Sequence, residues 1–194
     1  MHTVATICFY RPGPANTTAA VTAGLRRALD LGLARAVVAT CGGETALVLH
    51  RLAGEMGFRG ELVAVTHHVG FLQPGQDEMG REMRARLVGL GFTLVTGTHA
   101  LSGPCRGIRH KLGGYSPVEA VAEALRLFGQ GVKVCVECAV MAADAGAVPP
   151  GEDALVIAGT GRGADTACII APAHQNTFLD LAVREIVAKP RSWA

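Results

Sequence analysis

Short, nearly continuous apolar runs alternate along this chain with longer stretches in which apolar residues recur every third or fourth position. Runs of the first kind suit strands buried on both faces, and stretches of the second kind suit helices with one wet side. A chain that keeps alternating them has one economical solution: a mostly parallel sheet covered by helices on both faces. The expected strands are Val4 to Tyr10, Arg35 to Thr40, Glu61 to Thr66, Phe92 to Thr96, Ala154 to Ala158, Thr166 to Ala171 and Arg184 to Lys189. The first expected helix is capped by Asn16 or Thr17 and runs to Leu31, and the second carries Ala46, Leu49, Ala53 and Met56 on one face. The third is marked by Met79, Met83, Leu87 and Leu90. Ser116-Pro117-Val118-Glu119 reads as a capping box opening a fourth, which buries Val118, Val121, Leu125 and Phe128 and stops at Gly129. Residues 132 to 146 begin with strand-like alternation, but the alanine-rich second half and terminal glycine favour helix. Gly97 to Tyr115 reads as a long connection. Two strands in succession after Ala154, joined by "GTGRGAD", imply an antiparallel hairpin near the C-terminus. The expected architecture is therefore a three-layer, doubly wound α/β fold with a mostly parallel sheet and an antiparallel C-terminal hairpin.

The composition agrees with a packed core, since 49% of residues are hydrophobic and 18% charged. A length of 194 residues without a low-complexity linker suits one domain over 1–194. The formal net charge of +2 lacks the basic excess of a general nucleic-acid binder, so no nucleic-acid partner is expected. The start "MHTVATICFY" does not read as a signal peptide. The most apolar stretch, Val132 to Val148, is broken by Lys133, Glu137 and Asp144, so no membrane partner is expected either. Cys8, Cys41, Cys105, Cys135, Cys138 and Cys168 lie mostly within apolar runs, as buried free thiols of a cytoplasmic protein would. "CVEC" has no second ligand pair for zinc and no position at a helix start for redox work.

Ligands of such sheets bind at the carboxyl ends of the strands. Here those ends are Thr40–Gly43, Thr66–Gly70, Gly97–Gly103 and Gly159–Gly163. Thr40-Cys41-Gly42-Gly43-Glu44-Thr45 joins a strand to a helix. Helix N-termini offer unpaired N–H groups and a positive dipole end, the glycines admit an anion to the backbone, and Thr45 adds a hydroxyl. Glu44 would repel an anion unless it turned away or capped the helix. A side chain at Gly43 should block the anion and leave the fold intact. Cys41 also has a nucleophilic reading, with His67 or His68 as base. A phosphatase-type Cys-x5-Arg loop is excluded by Leu47, and a small turn residue is the simpler account of Cys41. Of the two histidines, His68 is expected to face the cleft. "GTGRGADTA" superficially matches a dinucleotide fingerprint, but an apolar strand follows it where that motif needs a helix. Arg162 and Thr166 remain candidates to touch a phosphate. Arg106, Arg109, His110 and Lys111 read as a solvated basic loop, or as cations able to close over an anion.

Taken together, "AVVATCGGETALVLHRL", "ELVAVTHH" and "AADAGAVPPGEDALVIAGTGRGADTACII" resemble the C-terminal alpha/beta domain of pyruvate kinase. Gly42 stands where that family's Thr-x-Ser-Gly-x-Thr loop carries serine. "RPGPANT", "THHVGF", "HALSG", "HKLGG", "MAADAGAV", "GRGADTA" and "PAHQNTF" are similar to a smaller stand-alone group of such domains that is associated with flavin mononucleotide. The resemblance implies that Thr40, Gly42, Gly43 and Thr45 hold a phosphate, with Gly161, Arg162, Gly163 and Thr166 alongside. Glu44, Thr66, His68 and Asp165 complete the expected ligand-binding set. It also implies a phosphorylated small-molecule partner, flavin mononucleotide as cofactor, and no pyruvate kinase reaction, because that chemistry belongs to a barrel domain. Self-association stays open. Two functions fit: a flavin-dependent oxidoreductase, and a non-catalytic sensor of a sugar phosphate or nucleotide.

Overall fold

A computed structural model describes residues 3–192. Seven strands form one sheet: β1 (Ile7–Phe9), β2 (Arg35–Ala39), β3 (Glu61–Thr66), β4 (Phe92–Thr96), β5 (Ala154–Ala158), β6 (Thr166–Ala171) and β7 (Ala182–Pro190). Their order is β1-β7-β6-β5-β2-β3-β4. The pairs β2·β3, β3·β4, β2·β5 and β1·β7 are parallel, whereas β5·β6 and β6·β7 are antiparallel. The expected C-terminal hairpin is thus present, and β7 extends it into an antiparallel run of three strands. β1 is shorter than expected and pairs only at the sheet edge.

The helices are α1 (Thr17–Asp30), α2 (Glu44–Met56), α3 (Arg81–Gly89), α4 (Gly103–Leu112), α5 (Pro117–Arg126) and α6 (Gln130–Asp144). Leu25, Leu49, Met79 and Leu87 pack with Val38, Leu155 and Ile157 on one face of the sheet. Val132, Cys135, Val136 and Ala139 pack with Val37, Val156 and Ile170 on the other. Such burial of apolar area stabilises at roughly 25 cal/mol per Å². The two cores make the three layers. Every residue of β5 and β6 is buried, which is why they read as unbroken apolar runs.

Residues 132–146 are helical as expected through Asp144, and α6 begins two residues earlier, at Gln130. Its small residues bring it so close to the sheet that a Cβ at Gly131 would stand 2.0 Å from Thr166 Oγ1. Two expectations change. The long connection contains α4, whose glycines and basic residues hid a helix with no buried residue. Phe128 is 54% exposed, because α5 ends at Arg126 and the chain turns before Phe128 can join its apolar face.

Candidate functional site

The crossover from β4 to β5 carries α4, α5 and α6 over the face opposite α2. A crevice therefore opens above the carboxyl ends of β2 and β5, where ligands of doubly wound sheets bind. It is a cavity of about 1010 Å³.

Its first wall is the turn from β2 into α2. Thr40 N–H continues the ladder to Val65 O at 2.9 Å, and Thr40 Oγ1 accepts from Gly43 N–H at 3.0 Å. Gly43 has φ +105°, and a Cβ there would stand 2.4 Å from Met83 Cγ. Gly43 is thus a turn-former whose N–H is already used, and a side chain there would disturb packing rather than leave the fold intact. The N–H groups of the next residues have no intrahelical acceptor, as in any first helical turn. Thr45 lines the cavity, is 7% exposed, and has no hydrogen-bond partner for its hydroxyl among the described residues. Glu44 does not turn fully away. Its exposed carboxylate folds back over Gly42, lying 2.7 Å from where a Cβ would be.

Cys41 and His67 form the second feature. Cys41 Sγ lies 3.4 Å from His67 Nε2, and His67 Nδ1 lies 2.8 Å from Glu78 Oε2. A carboxylate only accepts, so Nδ1 carries the proton and Nε2 is left to accept from the thiol. Glu78 is held by its loop. Gly70 N–H donates to Gln76 O at 2.8 Å, Met79 N–H to Asp77 Oδ1 at 3.0 Å, and Met79 is sunk in the core. Arg84 Nε, 2.6 Å from Asp77 Oδ2, holds that carboxyl below its usual range. Burial pushes the Cys41 thiol above its ordinary value; Glu78 and Glu44 add to this, and Arg162 opposes it. His67 thus faces the cavity, whereas His68 does not line it and turns Nδ1 to Val69 O at 2.9 Å. The expectation for the pair is reversed, because β3 ends at Thr66 and no longer dictates alternation.

The glycine-rich turn after β5 supplies the third wall. Gly161, Arg162 and Gly163 line the cavity, and Arg162 is exposed with no ion-pair partner among the described residues. Asp165 and Thr166 lie behind this wall, both fully buried. Asp165 Oδ2 accepts from Gly13 N–H at 2.9 Å and Thr160 N–H at 3.2 Å, and Thr166 Oγ1 donates to Asp165 Oδ1 at 2.8 Å. Asp165 therefore ties the "RPGPANT" loop to the glycine turn. Thr66 is also buried, bonded through Oγ1 to Thr96 Oγ1 at 2.7 Å, and reaches the cavity floor.

Residues outside the expected ligand-binding set complete the site. Lys133 Nζ and Glu137 Oε2 pair at 2.6 Å on α6, both 5% exposed, and Glu137 Oε1 accepts from Leu101 N–H at 2.9 Å. Their spacing of four was legible, but their inward direction was not. His99 lies 5.0 Å from His67 and Phe71, ring to ring, and Arg106 stands 5.2 Å over Phe71. Burial drives the His99 pKa down to about 4; His67, His68 and Lys133 push it the same way, and Glu137 pulls it up. Arg109 reaches Glu119 at 3.0 Å, so one cation of the basic stretch is paired across to α5.

This geometry defines a doubly wound α/β protein with a polar cavity at the strand ends. Residues 18–170 match the family model described as pyruvate kinase, alpha/beta domain, and the chain belongs to that family. Among solved structures it is similar to pyruvate kinases of Cryptosporidium parvum. One is 14% identical over 75% of this chain and 21% of that chain, with a TM-score of 0.35. Another, in complex with ADP, is 15% identical over 75% and 20%, also at 0.35. A third is 16% identical over 76% and 22%, at 0.34. This chain spans about a fifth of the length of these pyruvate kinases. No helix among the described residues is long and apolar enough to cross a membrane.

Proposed function

We propose that the cavity binds a phosphorylated small molecule, its phosphate anchored at the start of α2, and that the protein does not carry out the pyruvate kinase reaction. The observation that carries the reading is Thr45: a hydroxyl on a buried residue, unpartnered and lining the cavity one residue into a helix. Its hydroxyl is open to the cavity and uncommitted, and a bound anion would accept from it. Free N–H groups, the helix dipole and the unpaired Arg162 add to the attraction. Glu44 opposes it, but no hydrogen bond among the described residues holds its exposed carboxylate over Gly42. An incoming phosphate would displace it.

The ligand we favour is flavin mononucleotide. The cavity is large enough for a mononucleotide with a three-ring base. Phe71, His67 and His99 form a cluster of flat rings on one side, with ring centres 4.1 to 5.0 Å apart. Thr45 and Arg162 would hold the phosphate, and the ring cluster would lie against the isoalloxazine. When bound, the flavin would supply hydride or electron transfer.

Titration followed by flavin fluorescence tests the reading. Flavin mononucleotide should bind at least about tenfold more tightly than riboflavin, about 1.4 kcal/mol from the phosphate. Thr45→Val should erase most of that difference without affecting riboflavin. Equal affinity for the two flavins in the wild-type protein would remove the phosphate anchor. Tighter binding of a sugar bisphosphate than of either flavin would replace the flavin with a metabolite and make the protein a sensor.

A further inference from the structure

Cys41, His67 and Glu78 are arranged as thiol, base and orienting acid, and the phosphate reading above leaves them without a role. Sγ meets Nε2 at 3.4 Å and Nδ1 meets the carboxylate at 2.8 Å, the order in which a nucleophile, its proton acceptor and the group that fixes the acceptor's tautomer must stand. Cys41 and His67 line the cavity; Glu78 stands behind His67. The nucleophile sits at a sharp strand-to-helix turn, so the backbone N–H groups that follow it lie beside the thiol. The same placement serves the nucleophile of other α/β sheets.

We propose that Cys41 is a catalytic nucleophile, activated by His67 and positioned through Glu78, and that its substrate is an acyl phosphate. The substrate class rests on the phosphate site proposed above, because the thiol is adjacent to that anchor. A carbonyl carbon attached to a phosphate held at Thr45 is therefore brought beside Sγ. His67 Nε2 takes the thiol proton as sulfur attacks that carbon. The S–C bond forms, the C–O bond to phosphate breaks, and phosphate leaves with the electron pair into the N–H groups of the turn, taking back the proton from His67 Nε2 so that the imidazole is again neutral. Water then attacks the thioester, with His67 accepting its proton. The S–C bond breaks and the sulfur recovers a proton from His67. The net change is acyl phosphate plus water to carboxylic acid plus phosphate. The burial that keeps Cys41 protonated at rest requires such an attached base, since little free thiolate is available.

The same three residues could be read as metal ligands, since their donor atoms lie within 4.8 Å of one another. His67 argues against it. Its two ring nitrogens each face a different partner, and one ion cannot lie on both in-plane lone pairs.

The test incubates the full chain with acetyl phosphate, maps acetylated cysteines by mass spectrometry and measures phosphate release. Acetyl groups should appear on Cys41 at least tenfold faster than on the exposed Cys8 or the half-buried Cys105. Cys41→Ala should abolish phosphate release and His67→Ala should slow it at least a hundredfold. Glu78→Gln should alter the pH profile of acetylation, with Glu78→Asp restoring part of it, which a merely structural role would not do. p-Nitrophenyl acetate, an ester without phosphate, provides the second arm. If Cys41 reacts with neither reagent faster than Cys8, the nucleophile is refuted, whatever the phosphate site does. If it reacts with the ester but has no preference for acetyl phosphate, and Thr45→Val changes nothing, the phosphate reading has failed and the substrate class with it. One tightly held zinc per chain, whose removal leaves Cys41 no more reactive, would make the cluster a metal site and overturn the proposal.

Discussion

Gly43 and Glu44 show how single residues shape this site. Gly43 adopts φ +105°, a region that side chains disfavour, and a Cβ would collide with Met83. Gly43→Ala should therefore destabilise the protein by about 1–3 kcal/mol, read as a lowered midpoint in urea, and should shift α3 through Met83. A variant as stable as the wild type would show that the turn relaxes freely. Glu44 acts in the opposite sense. Its carboxylate guards the turn that Thr45 and Arg162 make attractive to anions, so Glu44→Gln should tighten flavin mononucleotide binding several-fold while leaving riboflavin unchanged. At this scale the sequence was only half informative. That Thr40, Gly42 and Thr45 line the cavity was legible, because glycines and threonines at a strand-to-helix boundary have few other uses. The roles within the turn were not, since only the folded geometry gives Gly43 N–H to Thr40 and leaves the Thr45 hydroxyl uncommitted. Glu78 was invisible, because it comes to His67 through a loop fixed by Asp77 and Arg84, with no periodicity to announce it.

Among the elements, α4 is the least anchored. It has no buried residue, and Ile108 and Leu112 are 56% and 79% exposed. It is held by Arg109 to Glu119, whose carboxylate is buried, and by Arg106 over Phe71. Glu119 also closes the capping box of α5 with Ser116, so the two helices share one carboxylate. Local opening of α4 should be cheap, and it would uncover the cavity that Arg106 and Arg109 line. Hydrogen exchange should therefore be fast over 103–112 and slow over 130–144, and a saturating phosphorylated ligand should slow the former selectively. Exchange in α4 as slow as in α6 would contradict this. The same weakness explains why the helix escaped sequence reading. Its glycines and proline read as loop, and its short apolar stripe, Ile108 and Leu112, joins no core. β5 and β6, buried throughout, and the start of α5, with its proline and capping box, were read with little error because burial and capping both leave marks in sequence, whereas the end of α5 and the residues it buries most deeply were not.

At the scale of the whole molecule, the doubly wound sheet was legible because each parallel pair needs a crossover, and each crossover helix carries its own apolar stripe. What could not be read was which charged residues the crossover from β4 to β5 turns inward. Lys133 and Glu137 lie on α6 against the sheet, and His99 sits over them at the start of the same crossover. That placement couples the site to global stability. His99 titrates near 6.5 when unfolded and is held down to about 4 in the fold, chiefly by burial, against the pull of Glu137 and with His67, His68 and Lys133 adding to the depression. Between these values the unfolded chain binds the proton and the folded chain does not. Stability must therefore rise with pH across the window and fall as the medium is acidified through it. The full shift from 6.5 to about 4 corresponds to about 3 kcal/mol, lost once the pH is below the folded value. His99→Gln cannot take up the proton, and carboxylates remote from His99 titrate equally in both proteins. The difference in unfolding free energy between wild type and His99→Gln, measured in urea at pH 7 and again at pH 4, reads His99 together with its coupling to Glu137, His67 and His68. It should move in favour of the variant by about 2–3 kcal/mol on acidification. An unchanged difference would mean that His99 is as free to protonate in the fold as in the open chain, and that the cavity floor is far wetter than its packing implies.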